Sequence, residues 1–223
     1  MRLSAILVFC CVPIQILSSA LPAQAGQLHT CIKSSSSSNG SFLVVMNTQL
    51  DPPQPDEGDA RRIRGFSFEI FPKEKFINAG DRLTAPGTYF SDWAQWGVAL
   101  DSRNATDKPF ASFCPLPLVT DDGEFLILLA QTPDASIDWV VLRIYRWDRM
   151  SKATPHQGRL VAEIPLKKFY IPLLESPCCT DESRMWFAGG SFHFSPNDRQ
   201  LNYVSQYGNA VRINLSDGSV SSK

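Results

Sequence analysis

The sequence is poor in histidine and in long apolar runs, and its charges nearly cancel. Its three histidines, His29, His156 and His193, are not spaced from one another as metal ligands usually are. After the N-terminal segment, no apolar stretch is long enough to cross a membrane as a helix. The formal net charge of −1 gives no electrostatic basis for binding nucleic acid. We therefore expect no metal, no cofactor, no nucleic-acid partner and no membrane span in the mature chain.

Phosphate binding would require a local basic patch that the overall charge conceals. The basic cluster at residues 61–64 (RRIR) follows an acidic, proline-rich stretch, and we expect it to neutralise that stretch. The sequence therefore offers no evident site for an anionic ligand.

The first 25 residues have the features of an export signal. Arg2 supplies a positive charge, residues 5–16 are a short apolar stretch, and residues 23–25 (AQA) form a signal-peptidase pattern. We predict a signal peptide over residues 1–25, with an uncleaved anchor as the alternative, and a single all-β domain over residues 26–223. The mature protein is expected to be periplasmic or secreted.

Four cysteines follow the predicted signal: Cys31, Cys114, Cys178 and Cys179. Oxidising conditions favour disulfides, and four cysteines allow three pairings. A bond between Cys178 and its neighbour Cys179 would strain the peptide between them, so strain favours cross-links from these two to Cys31 and Cys114. A redox role for an adjacent bond is the alternative, because a strained disulfide is easily reduced.

Most of the patterned segments predict β-strands. Residues 42–46 and 125–129 are short apolar runs typical of strands buried on both faces. Residues 139–147 alternate between an apolar face and an aromatic face that carries one charge, Arg143. Residues 91–96 (SDWAQW) predict one short helical turn, but no segment of ordinary helix length has helical periodicity. The chain is therefore predicted to be all-β.

Three related segments recur along the chain. Asn39-Gly40 and Asp122-Gly123 each precede an apolar strand, and each glycine lies nine residues after a cysteine. Such dipeptides tolerate the positive φ of tight turns between antiparallel strands. A third copy near the C-terminus lacks the cysteine. The recurrence predicts one structural unit that is used more than once.

The third copy resembles one blade of a bacterial β-propeller of the WD40-like or TolB-like kind. The resemblance is carried by residues 192–220 (FHFSPNDRQLNYVSQYGNAVRINLSDGSV), and residues 120–126 (TDDGEFL) are similar to its turn and second strand. It implies a bacterial source and antiparallel sheets arranged as about three or four propeller-like blades, although a closed propeller generally has at least four. An incomplete propeller is therefore one expectation, and a β-sandwich is the alternative fold.

No catalytic motif is complete in the sequence. Ser191 lies in GGSFH (residues 189–193), which lacks the second glycine of a nucleophile elbow. Asp92, Asp101 and Asp121 are candidate carboxylates for hydrolysis, yet Asp-Asp-Gly is also ordinary turn chemistry. We therefore predict no catalytic residues.

The tryptophans allow two interpretations. Trp93, Trp96 and Trp186 lie near predicted loops, where they are candidates for stacking on a ligand. The alternative is that they fill the core, as expected for Trp139 and Trp147.

Two function hypotheses follow. The first is an exported, non-enzymatic binding module whose partner is a protein or a glycan of the cell envelope. The alternative is a cell-envelope hydrolase of glycans or peptides that uses loop carboxylates. Open blades would leave unpaired strand edges, so a homo-oligomer is a further expectation.

Overall fold

A computed structural model describes residues 33–50, 63–75, 94–107, 110, 115–130, 137–150, 152, 156–170, 187, 190–195, 199–205 and 208–222. The predicted signal peptide, the four candidate disulfide cysteines, Asp92, Trp93 and Trp186 lie outside these residues. The described residues include twelve strands and the four-residue helix α1 (Lys167–Tyr170). This confirms the prediction of an all-β chain.

The strands fall into three groups of four along the sequence. The first group is β1 (Lys33–Ser36), β2 (Phe42–Leu50), β3 (Ile63–Pro72) and β4 (Trp96–Asp101). The second is β5 (Leu116–Val119), β6 (Phe125–Leu129), β7 (Val140–Trp147) and β8 (His156–Pro165). The third is β9 (Ser191–Ser195), β10 (Gln200–Val204), β11 (Ala210–Asn214) and β12 (Val220–Ser222).

Each group is an antiparallel meander in which consecutive strands pair. The first two meanders join into one eight-stranded sheet, in the order β1-β2-β3-β4-β8-β7-β6-β5, and the third forms a separate four-stranded sheet. The junction is a short parallel pairing of β4 with β8, with Trp96 opposite His156 and Gly97 opposite Gln157. Each of the three sequence copies lies in a different meander. The arrangement of these meanders as propeller blades stays a prediction.

The eight-stranded sheet curls into a nearly closed, barrel-like shape in which its two edge strands, β1 and β5, lie next to each other. Two of the predicted turns meet there, because Asp121 accepts hydrogen bonds from Ser38 Oγ at 2.7 Å and from the Asn39 backbone N–H at 2.9 Å. Gly40 and Gly123 have φ values of 70° and 66°. The prediction of positive-φ turns at these glycines is confirmed.

The core follows the apolar runs of the sequence. All five residues of β6 are buried, as the run at 125–129 predicts. Strand β3 buries Phe66, Phe68 and Ile70 on one face. Helix α1 adds the fully buried Phe169, whose ring meets Tyr203 of β10 edge-on with centroids 6.0 Å apart. The core therefore continues from the larger sheet into the smaller one. Within the described ranges, no helix is both long and apolar enough to span a membrane.

Gly123 cannot carry a side chain without displacing its neighbour. A Cβ at this position would lie 2.4 Å from the Phe42 ring, whereas at Gly208, with φ of +82°, a Cβ would meet no described atom within 4 Å. At both positions an L residue would adopt an unfavourable left-handed backbone conformation. At Gly123 a steric clash with the neighbouring ring adds to that cost. We expect Gly208→Ala to lower the free energy of unfolding by about 1 kcal/mol and Gly123→Ala by about 3 kcal/mol, measured by urea denaturation. Equal losses in the free energy of unfolding for the two variants would contradict the packing of Phe42 against the turn at Gly123.

Candidate functional site

A groove of about 470 Å³ lies where the second meander meets the third. Four arginines line it, from separate parts of the chain: Arg146 on β7, Arg149 just after β7, Arg159 on β8 and Arg199 just before β10. The arginine groove, as we call it, is completed by Glu124, Trp147, Asp148 and Met150. Sheet pairing brings two of the arginines together, because Arg146 and Arg159 are directly opposite each other on β7 and β8.

A buried carboxylate holds two of these arginines in place. The side chain of Glu124 is 9% exposed, and its Oε1 accepts hydrogen bonds from Arg146 at 2.7 Å (Nε) and 2.5 Å (Nη2). Its Oε2 lies 3.1 Å from Nη2 of Arg199. The guanidiniums of both arginines also lie over the buried ring of Phe125, at 5.7 Å and 6.0 Å from its centroid. Glu124 therefore links the second meander to the third by a charge-assisted network.

The other two arginines, Arg149 and Arg159, are not held by Glu124. The guanidinium of Arg149 lies 4.9 Å from the centroid of the Trp147 ring, a cation–π contact. The side chain of Arg159 is exposed. Neither arginine forms an ion pair with a residue that the structure describes. Four arginines against two carboxylates leave the groove lining with a formal net charge of +2. Like charges directly opposite on paired strands are unfavourable, so the pair Arg146–Arg159 favours an added anion.

The candidate carboxylate Asp121 accepts hydrogen bonds from the turn between β1 and β2. Burial raises the pKa of Asp121, but hydrogen bonds from Asn39 and Ser38 outweigh it and hold that pKa below its usual range. Its neighbour Asp122 accepts hydrogen bonds from Thr120 Oγ1 at 2.6 Å and from the Glu124 backbone N–H at 2.9 Å. These contacts are those of a structured turn.

The candidate carboxylate Asp101 is engaged by arginines. Hydrogen bonds from Arg103 hold the pKa of Asp101 well below its usual range, and Arg64 adds a weaker attraction. A general acid needs the opposite, a pKa near the working pH. The geometry therefore favours neither Asp101 nor Asp121 as the acid of a hydrolase.

Glu69 on β3 is a carboxyl that the sequence analysis did not single out. Burial raises its pKa above the usual range, and its Oε2 is buried with no hydrogen-bond partner in the described structure. It lines a trough of about 230 Å³ beside Phe68, Gly97 and Val98, and no second carboxylate lines the described part of that trough. Glycoside hydrolysis uses a pair of carboxylates, so Glu69 supplies one half of such a site. No sequence pattern marks it, since it is one position in an alternating strand.

Ser191 and His193 hydrogen-bond to each other on β9, with Nε2 of the imidazole 2.9 Å from Oγ. Both side chains are exposed and lie on the same face of the strand, two residues apart. An activated serine also needs a group that orients the histidine, and no described carboxylate contacts His193. In the part of the chain that the structure describes, no cluster of three or more histidine, cysteine or acidic residues could hold a metal ion.

The structure places the tryptophans partly as the sequence predicts. Trp96 was predicted in a helical turn, but it begins β4. Its full burial is what the core interpretation predicts, and its Nε1 donates to the Gly123 carbonyl at 2.8 Å. The tryptophans expected in the core are the more accessible ones: Trp139 is 44% exposed, and Trp147 is half-buried at the arginine groove. The helical-turn prediction failed because residues 96–101 pair with β3, and no local pattern shows that pairing.

Comparison with protein-family models and with curated proteins finds no match to this chain.

Proposed function

We propose that this chain is an exported, non-enzymatic binding module, built from propeller-like repeats, whose ligand is a glycan or a protein of the cell envelope. The observation that supports the proposal best is the arginine groove. It is concave, the buried Glu124 pairs with two of its arginines, and it presents the guanidiniums of Arg149 and Arg159 without a carboxylate partner among the described residues. A preformed cleft with a few fixed polar groups is the usual form of a binding site.

The alternative is a hydrolase of the cell envelope. Glu69 favours it, because a buried carboxyl with a raised pKa is suited to general acid catalysis. Asp101 and Asp121 weigh against it, because their ion pair and hydrogen bonds stabilise the charged form. The balance favours binding without turnover.

The test uses the mature protein, recovered after export, with isolated cell-envelope material. Retained protein is measured by sedimentation, and soluble fragments released from the envelope are measured by mass spectrometry. We expect retention with no fragments above a buffer control. Fragments that disappear with Glu69→Gln would overturn the proposal in favour of the hydrolase, and the absence of both retention and fragments would overturn the binding module.

A further inference from the structure

We infer that the arginine groove binds an acidic glycan, whose carboxylate, sulfate or phosphate groups pair with Arg149 and Arg159. This inference rests on the proposed function, since it names the ligand class of that same site. It reverses the expectation from the sequence that the mature protein has no local basic patch. The patch arises from residues on two strands, in a turn and before a strand of the third meander, so no contiguous basic run marks it.

The lining of the groove carries more positive than negative charge. Glu124 is shared by Arg146 and Arg199, so one carboxylate serves two guanidiniums. Arg149 and Arg159 add two more positive charges. A guanidinium is weakly hydrated and presents a planar fork of donors that matches carboxylate and phosphate oxygens in a bidentate manner. An anionic group at Arg159 would also offset the like charge of Arg146, which faces it across the strand pair.

The guanidinium of Arg149 is ordered by the neighbouring Trp147 ring. It lies 4.9 Å from the centroid of that ring, so part of its conformational freedom is lost before a ligand arrives. The groove therefore presents Arg149 as a positioned donor, which lowers the entropic cost of binding.

The shape and polarity of the groove favour a glycan over a peptide. An extended peptide docks on a free strand edge, but β6 and β7 at the groove are each paired on both sides, and β8 is paired with β7 along its length and with β4 at its first two residues. A helical or hydrophobic peptide needs apolar anchor pockets, whereas six of the eight residues that line this groove are charged. An acidic sugar chain carries anionic groups for the arginines and hydroxyl groups for the remaining polar lining.

The binding test uses three polymers as probes, with the mature protein and isothermal titration calorimetry. Polygalacturonate carries carboxylates on sugars, dextran is a neutral glycan, and poly-L-glutamate carries the same charge on a peptide. We expect binding of polygalacturonate, weakened about tenfold or more when NaCl is raised from 50 to 500 mM, because exposed ion pairs are screened by salt. Binding of dextran with equal affinity would overturn the charge argument, and equal or tighter binding of poly-L-glutamate would overturn the glycan in favour of an acidic peptide.

Two variants of matched charge locate the site. Arg149→Ala with Arg159→Ala removes two charges from the groove, and we expect a loss of about tenfold or more in affinity for polygalacturonate. Lys168→Ala with Arg212→Ala removes two charges from exposed positions outside the groove and should change the affinity by less than about twofold. Equal losses for the two double variants would overturn the inference.

Glu124→Gln distinguishes an effect of the groove's charge on binding from an effect of structural damage. The substitution frees Arg146 and Arg199 from their carboxylate, so the lining becomes more positive by one unit. We expect tighter binding of polygalacturonate, by about threefold, in protein whose circular dichroism matches the parent. Weaker binding in such folded protein would contradict an electrostatic site. If isolated envelope material retains the protein but polygalacturonate does not bind, the inference fails while the proposed function stands.

Discussion

Replacing Arg143 with methionine is expected to lower the free energy of unfolding by about 3–5 kcal/mol. The side chain of Arg143 is only 2% exposed on β7, and it forms ion pairs with Asp107 at 2.5 Å and Glu163 at 2.8 Å. Its Nη2 also donates to the Thr106 carbonyl at 2.5 Å, and the guanidinium lies 4.7 Å from the centroid of the Phe110 ring. Methionine keeps apolar volume but leaves Asp107, which is 15% exposed, without its cation. An uncompensated buried charge is the source of the cost.

Glu163→Gln is the matched control for this substitution. Glu163 is 37% exposed, so water can compensate for much of what the ion pair contributes. We expect Glu163→Gln to lower the free energy of unfolding by about 1 kcal/mol or less. Both variants are to be measured by urea denaturation at pH 7. If Arg143→Met cost no more than Glu163→Gln, the account in which Arg143 anchors residues 102–107 to β7 would be wrong.

Replacing Trp96 with alanine is expected to lower the free energy of unfolding by about 3–5 kcal/mol. Trp96 is fully buried at the start of β4, where the first two meanders join, and its Nε1 donates to the Gly123 carbonyl at 2.8 Å. Its ring also covers Gly158 of β8, where an added Cβ would lie 2.5 Å from the ring. Alanine therefore removes packing from β4, β8 and the second turn together, and it leaves a cavity at the junction.

Trp96→Phe separates the packing of the ring from its hydrogen bond. Phenylalanine keeps most of the apolar contact but leaves the buried Gly123 carbonyl without its side-chain donor, so we expect a cost of about 1–2 kcal/mol. For both variants, urea denaturation is to be followed by circular dichroism, because the substitution itself changes the tryptophan fluorescence. Equal costs for alanine and phenylalanine would contradict a packing role for Trp96 at the junction.

The strands and turns could be predicted because their signals are local. The apolar run at 125–129 is β6, and the alternating segment at 139–147 contains β7, Val140–Trp147. Asn39-Gly40 and Asp122-Gly123 form turns because glycine adopts positive φ at little cost. Periodicity and turn chemistry are properties of neighbouring residues, so a single sequence is sufficient to find them.

The association of the meanders could not be predicted in the same way. The parallel pairing of β4 with β8 joins residues that are sixty positions apart, Trp96 and His156, and no local pattern specifies it. The single charge on the aromatic face of β7 was visible, but its partners were not, because Asp107 and Glu163 reach Arg143 only in the folded chain. Long-range pairing of this kind is set by tertiary packing, which overrides local preference.

The arginine groove was hidden for the same reason. Arg146, Arg149 and Arg159 are dispersed over two strands and a turn, and Arg199 precedes a strand of the third meander. The basic run that the sequence does show is residues 61–64, and residues 61 and 62 lie outside the described residues. Antiparallel pairing places Arg159 opposite Arg146, so the signal exists only once the register is known.

The most direct test of the binding account is to observe the arginine side chains while the ligand is added. NMR spectra of the protein with ¹⁵N-labelled arginine would be recorded during titration with an oligomer of galacturonic acid. The account predicts that the Nε signals of Arg149 and Arg159 shift with increasing ligand, while the signal of Arg212 on β11 does not. Shifts at Arg212 without shifts at Arg149 and Arg159, or no shifts at all, would contradict the arginine groove as the binding site.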